Sequence, residues 1–221
     1  MDAAALEAIE RHVRLLLAWN AAINLTAITD PEAIARLHVA DSLSALDLVR
    51  AGPHGSLLDL GSGGGFPGLP LALVLPGTRV LLVESVAKKA AFLEAARRAL
   101  GLEGRVDVAA VRVESLVPPS GKPAWDVMTA RAVGSLADLV ELALPVLAPG
   151  GRLVAWKRGE ITAELEGAGR AAAVLGGSEP EVRTLPSGAG LDGHALVVVR
   201  RERPSPAGYP RDPAVRKRRP W

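Results

Sequence analysis

A glycine-rich turn holds the residues whose types and spacing point most directly to chemistry. It covers residues 59–68, Asp-Leu-Gly-Ser-Gly-Gly-Gly-Phe-Pro-Gly, between an apolar run that predicts a strand and a segment typical of a helix. Glycine has no Cβ, so such a turn lets the backbone approach a ligand, and the helix N-terminus adds free N–H groups. The turn therefore indicates a binding site for a small cofactor.

The position of the acid in this turn separates two cofactor classes. The dinucleotide spacing G-x-G-x-x-G is present at Gly63, Gly65 and Gly68, but a nicotinamide fold places its first glycine directly after the strand. Here Asp59 ends the strand and Gly61 is the nearest glycine. This order favours S-adenosylmethionine (SAM). The methionine part of SAM carries an ammonium group, and SAM has no pyrophosphate that would need the helix N-terminus. A nicotinamide-dependent oxidoreductase is the disfavoured alternative.

A glutamate follows the next apolar run at the distance expected of a ribose-binding acid. Glu84 comes after residues 79–83, roughly 20 residues beyond the glycine turn, where a carboxylate can accept both ribose hydroxyls. Lys88 and Lys89 open the following helical segment. The helix dipole disfavours cations at that end, so this pair suggests an anionic partner nearby.

Short apolar runs alternate with helical segments around these residues, which is typical of a parallel α/β sheet. The pattern predicts strands near residues 56–60, 79–84, 106–110, 126–131, 151–156, 181–185 and 194–200, and helices near residues 67–75, 86–100, 134–147 and 160–175. The last strand follows a loop with no room for a crossover helix, so we expect it to run antiparallel at the sheet edge.

The pattern divides the chain into three segments. Residues 1–52 predict a helical N-terminal cap, residues 53–202 the α/β domain, and residues 203–221 an extended, proline-rich tail outside the core. His38 and Asp41 share one helix face of the cap, where packing against the main domain is the favoured role over substrate contact. Residues 200–221 carry a net charge of +6, and the rest of the chain carries −4. This distribution fits either a phosphate-bearing partner or a solvated terminus.

Composition excludes several classes of function. The 221 residues contain no cysteine, which rules out disulfides, thiolate metal sites and a cysteine nucleophile. The four histidines have no metal-ligand spacing, so no metal is expected. The apolar runs are too short for a membrane helix, and the acidic start differs from a signal peptide. We therefore expect a cytoplasmic protein with no membrane partner.

Several motifs in their order resemble the RsmG (GidB, glucose-inhibited division protein B) family along nearly the whole chain. They are Asn24-Leu25-Thr26, Arg36-Leu37-His38, Asp41-Ser42-Leu43, the glycine turn with Phe66-Pro67-Gly68, Glu84-Ser85, Lys88-Lys89, Phe92-Leu93, Arg112-Val113-Glu114, Ala130-Arg131-Ala132, His194, Leu196-Val197-Val198 and Tyr209-Pro210-Arg211-Asp212-Pro213. Members are bacterial SAM-dependent methyltransferases that modify N7 of one guanine in the 530 loop of 16S rRNA. The resemblance implies a class I, Rossmann-like methyltransferase fold, SAM as cofactor, and 16S rRNA or a small-subunit particle as partner.

Matching these motifs residue by residue implies the cofactor contacts. Together with the acids and glycines above, the expected set is Asp59, Gly61, Gly63, Gly65, Phe66, Glu84, Val113, Glu114 and Arg131. The expected contacts to substrate RNA are cations, with those of the tail binding phosphates without choosing the base: Lys88, Lys89, Lys157, Arg211, Arg216, Lys217, Arg218 and Arg219. Arg158 stands between Lys157 and Gly159, where the family usually has Lys-Gly, so Lys157 is open between RNA contact and a solvated charge.

The residue types fit a methyl transfer that needs no protein base. Methylation of a pyrimidine carbon needs the cysteine nucleophile that is absent here. Methylation of an exocyclic amine usually uses an Asp/Asn-Pro-Pro-aromatic loop, and residues 129–133 read Thr-Ala-Arg-Ala-Val instead. Guanine N7 carries an exposed lone pair, so positioning suffices and no catalytic residue is expected. A methyltransferase acting on a small molecule or protein, and a non-catalytic RNA-binding or assembly protein, stay as alternatives.

Overall fold

The central strands are apolar on both faces because helices cover both sides of the sheet. All five residues of strand β1 (Ser56–Leu60) are buried, and neighbouring side chains belong to different cores: Leu57 to one and Leu58 to the other. Successive side chains of a strand point to opposite faces. The continuous apolar runs of the sequence therefore correspond to buried strands, as parallel sheets require.

The computed structural model describes residues 1–116, 125–185 and 190–221, and within them it shows one seven-stranded sheet. After β1, its strands are β2 (Arg79–Val83), β3 (Val106–Ala109), β4 (Trp125–Arg131), β5 (Leu147–Arg158), β6 (Glu181–Thr184) and β7 (His194–Arg200). The helices are α1 (Ala3–Ile23), α2 (Pro31–Ile34), α3 (Asp41–Leu43), α4 (Leu46–Arg50), α5 (Gly68–Val74), α6 (Ala87–Ala99), α7 (Leu136–Ala143), α8 (Thr162–Leu175) and α9 (Pro213–Arg218). A π-helical stretch, Ala35–Ala40, joins α2 to α3, and a 3₁₀ helix covers Val113–Leu116.

The strand order is β3-β2-β1-β4-β5-β7-β6, with β1 to β5 parallel and β7 antiparallel to both its neighbours. This confirms the mostly parallel, Rossmann-like sheet with an antiparallel last strand. The expected edge position of β7 is wrong, because β6 pairs with its outer side and forms the edge. The order reverses at β1, whose neighbours are β2 and β4, and open α/β sheets bind ligands beyond the carboxyl ends of the strands at such a point.

Strand β5 begins earlier, and α7 ends earlier, than the sequence pattern predicts. Trp125 of β4 pairs with Leu147, whereas Val127 pairs with Arg152, so the intervening residues of β5 bulge out of the ladder. The sequence pattern captured only the regular part after this bulge.

The first fifty residues fold as the expected helical cap. Asp2 caps α1 by accepting a hydrogen bond from the Ala5 backbone N–H at 2.8 Å, and Asn24 ends the helix in a left-handed conformation. Asp30 caps α2 in the same way, directly before Pro31. The buried face of α1 contacts α5 and α6, which places the cap beside the glycine turn.

The tail, residues 203–221, is not the extended segment that its prolines suggested. Asp212 accepts a hydrogen bond from the Ala214 N–H and Pro213 takes the first position of α9, an arrangement that favours helix initiation. Tyr209 and Trp221 pack against the core that contains α7. Across the part of the chain described here, no helix is long and apolar enough to cross a membrane.

Candidate active site

The glycine turn links the carboxyl ends of β1 and β2. The backbone N–H groups of Gly61 and Ser62 both donate to the Val83 carbonyl, at 2.8 and 3.1 Å. Gly61, Gly63 and Gly65 have φ values of 70°, 52° and 87°, in the left-handed region that side chains with a Cβ rarely adopt. The turn therefore needs glycine at these positions to keep its shape.

Glu84 lies where the sequence spacing placed it, against the glycine turn. Its carboxylate accepts hydrogen bonds from the Gly63 N–H at 3.1 Å and from the Val86 N–H at 2.8 Å. The side chain is buried at the carboxyl end of β2. These bonds fix the orientation of the carboxylate beside the turn.

Asp59 lies behind the turn. It is fully buried, accepts a hydrogen bond from the Thr129 hydroxyl at 2.8 Å, and lies 3.2 Å from the Gly68 N–H that donates to it. Burial raises the pKa of its carboxyl, while the bonds from Thr129, Ser62 and Gly68 act in the opposite direction. Asp59 thus ties β1, β4 and the start of α5 together, and a direct cofactor contact stays a prediction.

A cavity of about 590 Å³ opens beyond the carboxyl ends of β1 and β2. Its lining includes three of the expected cofactor contacts, Gly61, Val113 and Glu114. The other lining residues are Leu60, Val83, Ser85, Val111, Arg112, Val133, Gly134, Ser135, Asp138, Leu142 and, from the tail, Pro213, Arg216, Lys217 and Pro220. We call this space the cofactor cavity. The other expected contacts do not line it: Asp59, Gly63, Gly65, Phe66, Glu84 and Arg131.

A second cavity, of about 390 Å³, lies beyond the carboxyl ends of β4 and β5. Its lining residues come from the cap and the sheet: Ile28, Leu37, His38, Asp41, Arg131, Ala132, Trp156, Lys157, Arg158 and His194. We call it the acceptor cavity. The loop after β4 separates the two spaces, with Ala132 on one side and Val133 on the other.

Buried charge fixes the wall of the acceptor cavity. Asp41 accepts hydrogen bonds from Arg131 at 2.9 Å and from Nδ1 of His194 at 2.9 Å. Its backbone carbonyl accepts a further bond from the Trp156 indole at 2.8 Å. This confirms the role predicted for Asp41 in joining the cap to the main domain, and it adds His194, to which the sequence reasoning gave no partner.

Phe66 is enclosed by a cluster of aromatic and basic groups beneath the same wall. The His12 and His38 rings lie 4.6 and 4.8 Å from its centroid, and the Arg131 guanidinium is 5.4 Å away. Burial lowers the pKa of both histidines to about 4, and the Arg131 charge adds to the lowering at His38. Both are therefore neutral near pH 7, and His38 can accept a hydrogen bond from Arg131. Phe66 and Arg131 as cofactor contacts stay predictions.

The sequence reasoning missed His12. It is fully buried, and its Nε2 lies 2.8 Å from the Gly64 carbonyl, so it connects α1 directly to the glycine turn. The only signal in the sequence was the position of His12 on the apolar face of α1. A histidine at such a position more often belongs to the hydrophobic core than to a functional site.

The expected RNA-contacting cations fall into two groups. Lys157, Arg211 and Arg216 are already paired with carboxylates, at Glu164, Glu141 and Glu114 respectively. Contacts of these three residues to RNA stay predictions. Lys89 is half-buried, and the exposed cations are Lys88, Lys217, Arg218 and Arg219, together with Arg158 beside the acceptor cavity.

A model of the GidB family, described as rRNA small subunit methyltransferase G, matches residues 5–199. The chain belongs to this family. A ribosomal RNA small subunit methyltransferase G of Roseiflexus sp. (strain RS-1) is 43% identical over 223 residues, covering 100% of this chain and 93% of the relative. A protein of the same name from Geobacter sp. (strain M21) is 44% identical, covering 91% of each chain.

Solved structures share the fold of this GidB-family chain. An O-methyltransferase from Bacillus cereus, solved in complex with SAH, gives a TM-score of 0.61 at 20% identity, covering 87% of this chain and 91% of that one. A SAM-dependent O-methyltransferase from Thermotoga maritima gives 0.61 at 16% identity, covering 86% and 72%. The family assignment makes the chain a SAM-dependent methyltransferase with S-adenosylmethionine as its cofactor.

The cofactor cavity fits this assignment. Its volume of about 590 Å³ lies within the range of small-molecule sites. A Cβ on Gly63 would meet no atom closer than the Gly61 carbonyl at 3.8 Å, so the glycine turn leaves open space at this position. Glu84 holds a carboxylate at the turn, where it can accept ribose hydroxyls.

Replacing Glu84 with Ala should weaken cofactor binding at least tenfold. The change removes charge-assisted hydrogen bonds, each worth about 1.5–3 kcal/mol. Glu84→Asp should give an intermediate affinity, because it keeps the charge but shortens the reach. Calorimetric titration with SAH measures the effect, and an unchanged affinity in Glu84→Ala would show that the carboxylate only shapes the turn.

Proposed function

We propose that this chain transfers the methyl group of SAM to N7 of a guanine in the 530 loop of 16S rRNA. The observation that carries the proposal is that the cofactor and acceptor cavities are neighbours on the two sides of the loop after β4. A base in the acceptor cavity would lie beside this loop, next to the bound cofactor. The family description and the names of the relatives support small-subunit rRNA as the substrate.

The carboxylate of the acceptor cavity is already occupied. Among its lining residues, Asp41 is the carboxylate, and both of its oxygens are occupied, by Arg131 and His194. Bound SAM supplies an electrophilic methyl group on a positively charged sulfur. An acceptor with an N–H to remove would need a group ready to take that proton. Guanine N7 has a lone pair and no proton, so alignment by a rigid wall is sufficient.

Exposed cations near the two cavities suit the phosphates of an RNA. Arg158 lies at the acceptor cavity, and Lys217 lies at the cofactor cavity with Arg218 and Arg219 next in sequence. Phosphate contacts fix the orientation of a nucleic acid but carry no sequence information. We infer that these cations hold the RNA while the acceptor cavity selects the base.

Deleting the gene should remove 7-methylguanosine from the 530 loop of 16S rRNA, and the wild-type gene should restore it. Mass mapping of rRNA nucleosides from the two strains measures this directly. A Glu84→Ala copy should restore less of the modification than the wild type, since cofactor capture limits it. A 7-methylguanosine signal that persists after deletion would refute the assignment and favour a small-molecule or protein substrate.

A further inference from the structure

The tail is fixed to the body by a buried acid on α7. Glu141 is completely buried, and its carboxylate accepts hydrogen bonds from the Arg211 guanidinium and from the Trp221 indole, both at 2.6 Å. The Arg211 guanidinium also lies 4.6 Å from the Trp221 ring centroid. The guanidinium and indole bonds lower the pKa of Glu141 against the effect of burial, so the acid is ionised at neutral pH. A buried charge with all these partners holds the tail in one place.

A second attachment brings α9 over the cofactor cavity. The Arg216 guanidinium pairs with Glu114 and lies 3.9 Å from Asp138, and all three residues line that cavity. The Arg216 side chain is only 11% exposed. Pro213 and Pro220 of the tail lie on the same wall.

We propose that residues 209–221 form the outer wall of the cofactor cavity and that Arg216 is a positioning residue, which orients the Glu114 carboxylate toward bound SAM. The inference rests on SAM as the cofactor. A forked guanidinium fixes a carboxylate better than a point charge can. Without Arg216, the Glu114 side chain and the segment α9 would lose their shared anchor at the mouth of the cavity.

The direction of the tail cations separates this role from simple RNA binding. Arg211 and Arg216 face inward and are paired with acids, whereas Lys217, Arg218 and Arg219 of the same segment are exposed. Phosphate binding alone would not require Arg216 to be buried against Glu114. The tail therefore pairs Arg216 with an acid of the cofactor cavity and leaves its other cations exposed.

Arg216→Met should raise the Kd for SAH about tenfold, because it removes the charged fork but keeps the aliphatic stem. Arg216→Lys should recover part of the loss. Arg218→Met is the matched control, since Arg218 lies on the same helix, is exposed and does not line the cavity. Its Kd should stay within twofold of the parent. In steady-state assays, Arg216→Met should raise the KM for SAM and leave kcat unchanged, the signature of lost uniform binding.

Limited proteolysis of the unmodified protein gives a test that does not depend on a variant that folds. Trypsin can cut after Lys217 and Arg218, but only when α9 opens. A ligand that binds the closed form alone lowers the population of the open form by up to the factor 1 + [L]/Kd, and the rate of cleavage falls with it. Saturating SAH should therefore slow tail cleavage at least tenfold, measured by mass spectrometry, while cleavage after the exposed Arg183, outside both cavities, should change little.

The outcomes distinguish this inference from the assignment on which it rests. If SAH fails to bind the parent protein, the SAM site itself is wrong. If SAH binds the parent, yet Arg216→Met keeps the parent affinity or the tail is cut equally fast with and without SAH, the tail is not a wall of the cavity and the proposal fails.

Discussion

Gly61→Val is expected to abolish SAH binding while the protein stays folded. The backbone at Gly61 has a φ of +70°, and a Cβ there would lie 2.5 Å from Cγ2 of Val133. Val133 lines the cofactor cavity, so the clash would push the loop after β4 and the glycine turn apart, where the ligand must contact both. A β-branched residue at positive φ adds a strain of about 1–3 kcal/mol, which a folded domain of this size can tolerate.

Gly101→Val is the matched control for that strain. Gly101 follows α6 with a φ of +66°, and a Cβ there would meet nothing within 4 Å. The control should therefore lose only the stability that corresponds to the backbone strain in a denaturant titration, and it should retain the parent's SAH affinity in calorimetry. Full SAH affinity in Gly61→Val, or an equal loss of affinity in both variants, would contradict the place given to the glycine turn.

The parts of the site that were predictable depend on short segments of chain. The glycine turn, its flanking strand and the acid Glu84 follow each other within one β-α-β unit, so spacing alone placed Glu84 beside Gly63. Alternation of apolar runs and helical segments also predicted the strands of the sheet with small errors at their ends. The exception is β5, whose start was predicted too late. A bulge interrupts its pairing with β4 there, and the pattern of apolar residues does not show such a bulge.

The acceptor cavity could not be predicted because its polar contacts join distant segments. Arg131 meets Asp41 from 90 positions away, and His194 meets it from 153. Each of the three residues also has an ordinary local interpretation. The resemblance implies that Arg131 contacts the cofactor, which stays a prediction, and the guanidinium donates hydrogen bonds to Asp41, Leu37 and His38.

The prediction of an extended tail was wrong for a different reason, because the sequence does contain a signal for the helix α9. Asp212-Pro213 has the same cap and first helical residue as Asp30-Pro31, which begins α2, but the prolines and charges around it favour an extended segment. The partner of the tail, the buried Glu141, lies about 70 residues away, so nothing local showed that Arg211 would be drawn into the body. Charge density predicted a solvent-exposed polycation, but two of its arginines are neutralised by acids of the domain.

Asp41→Ala is expected to lower the free energy of unfolding by about 3–5 kcal/mol, the usual cost of removing one partner from a buried ion pair. Its side chain is only 3% exposed, and the change leaves Arg131, itself 15% exposed, and His194 without their acceptor. Asp41→Asn keeps the shape and one acceptor oxygen, so it should lose less. Asp47→Ala, an exposed acid in α4, should stay within about 0.5 kcal/mol of the parent.

Asp41→Asn also tests whether the two cavities have separate functions. Asp41 lines the acceptor cavity and not the cofactor cavity, so Asp41→Asn should keep the SAH affinity within about threefold. Methyl transfer to the RNA should nevertheless fall about 100-fold, because the amide nitrogen cannot accept a hydrogen bond from Arg131 or His194, and the shift of one of these residues misaligns the acceptor atom. Calorimetry with SAH and single-turnover methylation of the RNA, both on protein confirmed folded by denaturant titration, give the two measurements. Equal losses in both, or an unfolding free energy unchanged in Asp41→Ala, would mean that Asp41 does not organise the acceptor cavity.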